Sequence, residues 1–248
     1  MKLSKFILYM FAMSITTFLF SCSEDSSPTP PATTDYSAYY PLSVGSWWIY
    51  EEWKTDSNFN PDSLITRDSV VIESTTMFNG KNAFVKVTYD ILSGVAIDTT
   101  YEYFENNSLY EWTQLNPFTN EQEGWVERGS FTKDYIKYLD TNVTDLIIGD
   151  MFSFSGSIKM DITKGINKII NLKNKDYTAF TYNNSAIIDG NATIPGLGSV
   201  PMKVDMTEEM FFAKNIGIAQ TLTTQTALIM GMGEPEYSKR ILIDWSVK

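Results

Sequence analysis

Along most of the chain, apolar residues alternate with polar ones in short runs rich in Val, Ile, Thr, Tyr and Phe that end at Asn and Gly. A spacing of two belongs to half-buried β-strands, and the helical spacing is scarce. Asn79-Gly80 is the strongest turn signal, because a two-residue hairpin of type I′ needs positive φ at both central positions. Closing the chain there sets Ile72 opposite Val87, Val70 opposite Tyr89 and Ser74 opposite Val85. At Ser93-Gly94 a two-residue loop would oppose Val85, Val87 and Tyr89 with Glu102, Thr100 and Asp98, whereas a three-residue loop opposes them with Tyr103, Tyr101 and Thr99. A slip of one residue sends every side chain to the other face, so the three-residue loop is expected. Asn106-Asn107 then pairs Tyr103 with Tyr110 and Tyr101 with Trp112. Strands near 68–78, 81–91, 97–105 and 108–113 thus agree on one apolar side that needs a cover. The side carrying Lys86, Asp90, Asp98, Glu102 and Glu111 is expected to face water.

Further runs near 146–154, 157–163, 178–183, 185–194, 200–212, 216–230 and 237–247 continue the pattern, and in the last, Ile241, Ile243, Trp245 and Val247 alternate with Arg240, Asp244 and Ser246. The expectation is a mainly β protein, an antiparallel meander forming a strongly curved sheet or open barrel with at most one or two short helices. The best helical candidate is Phe131 to Leu139, capped by Ser130.

The first residues do not fit that pattern. Lys2 and Lys5 precede an uncharged run from Phe6 to Phe20, which reads as a secretory signal. Those fifteen residues would span about 22 Å as a helix, short of the ~20 residues a membrane span requires. After them, Ser23 to Thr34 is polar and proline-rich, the composition of an extended tether. The expected organisation is a signal peptide over 1–21, a tether over 22–35 and one β-rich globular domain over 36–248.

Leu19-Phe20-Ser21-Cys22 resembles the lipobox of bacterial lipoprotein precursors. That resemblance implies cleavage before Cys22 and lipidation of its sulfur, and two or three acyl chains hold a protein on a bilayer where one does so only marginally. Glu24 and Asp25 are similar to the acidic export signals that place some Bacteroidetes lipoproteins on the outer face of the outer membrane, so a surface-exposed and a periplasm-facing anchor both stay open. Two further segments carry a family likeness. Tyr39-Tyr40-Pro41-Leu42-Ser43-Val44-Gly45-Ser46-Trp47-Trp48-Ile49-Tyr50 and Phe212-Ala213-Lys214-Asn215-Ile216-Gly217-Ile218-Ala219 resemble elements of uncharacterised, β-rich Bacteroidetes lipoproteins. The likeness implies a lipid-anchored envelope domain with the curved-sheet architecture of lipoprotein carriers, and no catalytic residue. Read from the residues alone, the opening is structural: Pro41 fixes its entry, Gly45 supplies a turn, and Trp48 and Tyr50 share a strand face opposite Trp47 and Ile49.

Composition then removes whole chemistries. There is no histidine and one cysteine, so a Ser-His-Asp relay, a His-ligated metal and an intramolecular disulfide are all excluded. Acidic residues number 30 against 19 basic; without Lys2 and Lys5 the basic count is 17 and the net charge −13, which argues against nucleic acid as a partner. Asp56 to Asp62 has oxygen ligands at alternate positions, but Pro61 and Arg67 stand where a calcium loop needs glycine and glutamate. Ser130-Phe131-Thr132-Lys133 matches S-x-x-K without its companion motifs. Glu121, Glu123, Glu127, Glu208 and Glu209 read as solvated faces, Pro195-Gly196-Leu197-Gly198 as a turn, and Met202, Met206 and Met210 as core or a flexible apolar pocket.

No catalytic, cofactor-binding or metal-binding residue is assigned, no cofactor is expected, and the one site residue is Cys22. The function expected is that of a non-enzymatic, lipid-anchored envelope module that binds or carries an apolar, glycan or protein ligand. A carbohydrate hydrolase using two carboxylates and an envelope scaffold or assembly protein are the alternatives. A carrier needs a cavity, a glycan or protein binder needs outward Trp or Tyr, and a hydrolase needs a cleft holding two acids.

Overall fold

The computed structural model describes residues 36–114, 123–148 and 152–248; the signal segment, Cys22, the tether and Glu121 lie outside the described residues. Alternation produces thirteen strands: β1 (Trp47–Thr55), β2 (Pro61–Phe78), β3 (Lys81–Asp90), β4 (Ala96–Glu105), β5 (Ser108–Gln114), β6 (Glu123–Ser130), β7 (Tyr135–Ile148), β8 (Phe152–Lys164), β9 (Lys168–Leu172), β10 (Lys175–Ile194), β11 (Gly198–Ala213), β12 (Gly217–Ile229) and β13 (Pro235–Ser246). Twelve follow one antiparallel path, β6-β5-β4-β3-β2-β1-β13-β12-β11-β10-β8-β7, and β9 extends the β8 side of β10. The first strand pairs with the last, so the free edges are β6 and β7. The expected architecture is present: an antiparallel sheet almost closed into a barrel, with one unsealed seam. Across that seam the Arg128 guanidinium lies 5.6 Å from the Tyr138 ring centre.

The expected helix after Ser130 is absent. β7 starts at Tyr135 and pairs with β8, because the β-branched residues Ile136, Thr141 and Val143 suit a pleated surface better than a helix. Ser130 does cap, but it caps a turn: its Oγ accepts from the backbone N–H of Lys133 at 3.3 Å. Among the described residues the helical content is one 3-10 turn, Ser37–Tyr39.

The hairpin turns fall where expected, with φ of 44° and 79° at Asn79 and Gly80 and of 52° and 60° at Asn106 and Asn107. Ser74 stands opposite Val85, and Tyr103 stands opposite Tyr110 with stacked rings 4.7 Å apart. Beyond Ser74 a bulge leaves Glu73 unpaired, so Ile72 opposes Lys86 and Val70 opposes Thr88 instead of Val87 and Tyr89. The next hairpin also departs from expectation. Asp90 Oδ1 accepts from the Ser93 backbone and hydroxyl, which centres the turn on 91–94, and Val85 opposes Tyr101, not Tyr103. That shift of two residues keeps the same face.

The bulge at Glu73 decides which face is inside. Val70 and Ile72 join Trp48, Tyr50 and Leu242 in one buried cluster, and Lys86 is on their face. The side expected to meet water, with Lys86, Glu102 and Glu111, therefore lines the barrel lumen, and the apolar side points out. There Phe78, Tyr101, Tyr103, Tyr110, Trp112 and Trp125 pack on one another, stacked or edge to face. A second bulge, at Ile243, breaks the expected face of β13: Leu242 is buried opposite Tyr50, and Trp245 opposite Trp48. Bulges bend strands and switch the side their residues face, and a barrel needs both effects.

The two segments that carry the family likeness form one structural unit. Trp48 Nε1 donates to the Ile216 carbonyl at 2.5 Å, Tyr50 Oη donates to that of Ile218 at 2.8 Å, and Pro41 lies against Gly217. Trp48 and Tyr50 are buried as expected. Tyr36 and Tyr39 lie on Phe131 and Phe180 in a second buried cluster.

Candidate functional site

Inside the barrel is a cavity of about 220 Å³ lined from nine of the thirteen strands, β3 to β8 and β10 to β12. Its character follows from alternation, since residues at i and i+2 share a face. β10 presents Tyr182, Asn184 and Ala186, and beside it β11 presents Met206, Glu208, Met210 and Phe212. β4 and β5 place Glu102 directly opposite Glu111. Met160, Ile162, Leu109, Phe131 and Ile218 supply apolar wall.

Glu102 is 1% exposed, and both of its oxygens are engaged. Tyr40 Oη donates to Oε2 at 2.8 Å, and Lys86 Nζ donates to Oε1. A buried carboxylate is tolerated only with such partners. Burial opposes the Lys86 charge, but Glu102 outweighs it and holds the ammonium's pKa above its ordinary value. Burial, reinforced by Glu102, raises the Tyr40 phenol well above the usual value. Burial also raises the Glu111 carboxyl, with Arg128 pulling it down and Glu102 pushing it up; Arg128 Nε lies 3.8 Å from Glu111. Behind Tyr40, a smaller void of about 60 Å³ reaches Arg240, which lies 3.9 Å from the centre of the Tyr50 ring and 2.7 Å from Asp68.

Tyr182 stands apart. It is 1% exposed, yet its Oη has no hydrogen-bond partner. Burial and then Glu127 raise its phenol far above the usual value, with the Ser130 backbone pulling weakly the other way from outside hydrogen-bonding geometry. Gly129 makes room for the ring: a Cβ there would sit 3.4 Å from Tyr182 Cε2. The Asn184 Oδ1 atom is likewise buried without a partner.

The motifs set aside behave as turns and faces, with one correction. The Asn60 side-chain amide, then the backbone N–H groups of Asn60 and Asn58, donate to the Asp56 carboxylate, which lowers its pKa. The Lys133 ammonium binds Glu127, not the Ser130 hydroxyl, and Glu209 binds Lys168. Gly196 and Gly198 take positive φ in a turn. Glu208 and Glu111, however, belong to the lumen and not to a solvated face. Among the described residues no group of three or more Cys, Asp or Glu side chains could hold a metal ion. Reading the sequence missed Tyr40, Lys86, Glu102 and Tyr182 as site residues, although strand alternation had placed Lys86 and Glu102 on one face.

The fold and the site define a nearly closed antiparallel barrel with a polar-belted internal cavity. No family model matches the chain, and no curated protein matches it. Two solved structures are similar to it. One is a candidate lipoprotein of Parabacteroides distasonis, 8% identical over 84% of this chain and 98% of its own, with a TM-score of 0.45. The other is a candidate exported protein of Bacteroides fragilis with a YmcC-like fold, 10% identical over 83% of this chain and 97% of its own, with a TM-score of 0.44. Likenesses this slight carry no inference about family or function.

Proposed function

We propose that this is a lipid-anchored cell-envelope protein whose barrel lumen holds a small amphipathic molecule without transforming it. The observation that carries the reading is the cavity, whose mostly apolar wall also carries Lys86, Glu102, Glu111, Arg128 and Glu208 and includes Tyr182 with its buried, unpartnered hydroxyl. An unmade buried hydrogen bond costs about 1–3 kcal/mol, and a ligand that supplies it recovers that energy. The volume is below the roughly 300–1,000 Å³ usual for ligand pockets, which limits the guest to a small one, and the polar belt disfavours a purely hydrocarbon guest. The outward aromatic cluster is a weaker candidate surface, because its rings spend their faces on one another and two indoles are tied, Trp112 to Glu123 and Trp125 to the Asn79 carbonyl.

Anchoring rests on Lys2, Lys5, the Phe6 to Phe20 run and the lipobox-like ending at Cys22. Palmitate incorporation, lost in Cys22→Ser, tests it. The lumen is tested by mass spectrometry of small molecules released from protein purified out of its native membranes. A compound retained by the wild type and lost in Ala186→Phe, which fills the cavity, is expected; equal content in both refutes the reading.

A two-carboxylate hydrolase is the second reading, favoured by Glu102 and Glu111 on opposed strand positions, where Cβ atoms lie about 4.5–5.5 Å apart. Against it, both Glu102 oxygens are occupied. Turnover of aryl glycosides, abolished by Glu111→Gln, would replace the binding function with catalysis.

A further inference from the structure

Not every carboxylate facing the barrel interior has a cation beside it. Arg240 holds Asp68, Lys86 holds Glu102, and Arg128 lies near Glu111. Glu208 is the fourth carboxylate, and among the described residues no cation pairs with it. Asp161 also borders the cavity, but strand alternation sets its side chain opposite to those of Met160 and Ile162, and its carboxylate accepts from the Tyr135 hydroxyl.

The one polar contact of Glu208 is weak, from Asn184 Nδ2 at 3.4 Å. That contact orients the amide, because the reverse orientation would set two oxygens against each other. Asn184 Oδ1 is left buried without a donor, and Tyr182, whose hydroxyl is also without a partner, lines the same cavity. The carboxylate and the amide carbonyl both ask for N–H donors, and the carboxylate asks for positive charge. Around them are the thioethers of Met160, Met206 and Met210 and the rings of Phe131 and Phe212, polarizable groups suited to an apolar stem.

We infer that the lumen binds an organic ammonium ion: a primary amine that donates to Glu208 and Asn184 Oδ1, with its hydrocarbon stem against Met206, Met210 and Phe131. This rests on the lumen-binding reading and names its ligand class. An amine supplies both the missing charge and the missing donors. A carboxylate supplies neither.

Calorimetric titration of the full-length protein with butylammonium chloride, sodium butyrate and 1-butanol tests it. Butylammonium should bind at least tenfold more tightly than the other two; Glu208→Gln should remove that margin, and Asn184→Asp should widen it. Butyrate binding as tightly as butylammonium, or a margin untouched by Glu208→Gln, overturns the ammonium assignment. If 1-butanol still binds and Ala186→Phe excludes it, the lumen-binding reading stands without that assignment. If none of the three probes binds, both fall.

Discussion

Replacing Lys86 by Met tests whether the lumen's charge is held by pairing. Methionine keeps the length and most of the volume of the side chain and removes only the ammonium. Glu102, 1% exposed, would then keep the Tyr40 hydrogen bond at 2.8 Å and lose its counter-charge. Breaking a buried pair from one side costs about 3–5 kcal/mol. At roughly 2–4 °C per kcal/mol for a domain of this size, the melting temperature should fall by on the order of 10 °C. Glu102→Gln should cost less, about 1–3 kcal/mol, because Gln still accepts from Tyr40 and the Lys86 side chain, 21% exposed, can turn its charge toward Glu111 or water. The double variant Lys86→Met, Glu102→Gln buries no unpaired charge and should recover most of the loss. Urea denaturation of all four proteins gives the coupling free energy, expected at about 3–5 kcal/mol, the full cost of the unpaired buried charge. Additive losses, with no recovery in the double variant, would show that the two charges do not depend on each other and refute the reasoning.

Three other outcomes are expected. Because the folded Glu111 carboxyl titrates above its unfolded value, the folded state binds more protons between that unfolded value, near ~4.3, and the raised one, so stability falls as pH rises through the window; Glu111→Gln should flatten that decline in urea midpoints measured from pH 4 to 8. Gly190→Ala should destabilise by at least about 1–3 kcal/mol, since its Cβ would lie 2.2 Å from the Ser155 carbonyl and 2.7 Å from Gly156 Cα, and a melting temperature within a degree of wild type would contradict this. Deleting Glu73 removes the bulge and turns Val70 and Ile72 outward, at about 1.5–3 kcal/mol for each side chain; a deletion variant that melts like wild type would mean that the bulge does not set the barrel's inside.

The strands, the turns at Asn79-Gly80 and Asn106-Asn107, and the grouping of residues by face were legible because each is local. Tyr103 opposite Tyr110 follows from a two-residue turn and needs nothing distant. The helix expected after Ser130 failed because a serine cap signals a turn as readily as a helix, and β8 was available to pair with the residues that follow. The site was legible only in its grouping: Lys86 and Glu102 were correctly placed on one face, and that face was assigned to water.

What the sequence determined alone was a chain of alternating strands with two unlike faces, its turns, and the absence of histidine chemistry. Tertiary structure decided which face is inside. A sheet has no inside until it curves, and its charged face can line a barrel once Glu102 meets Lys86 and Tyr40, contacts that span 16 and 62 residues of chain. The two bulges, at Glu73 and Ile243, become visible only when the partner strand is in place, since an unpaired residue is defined by the ladder it interrupts. The lumen's unmatched groups, Glu208, Asn184 Oδ1 and Tyr182 Oη, arise the same way: being without a partner is a property of surroundings, and the closed barrel supplies those surroundings.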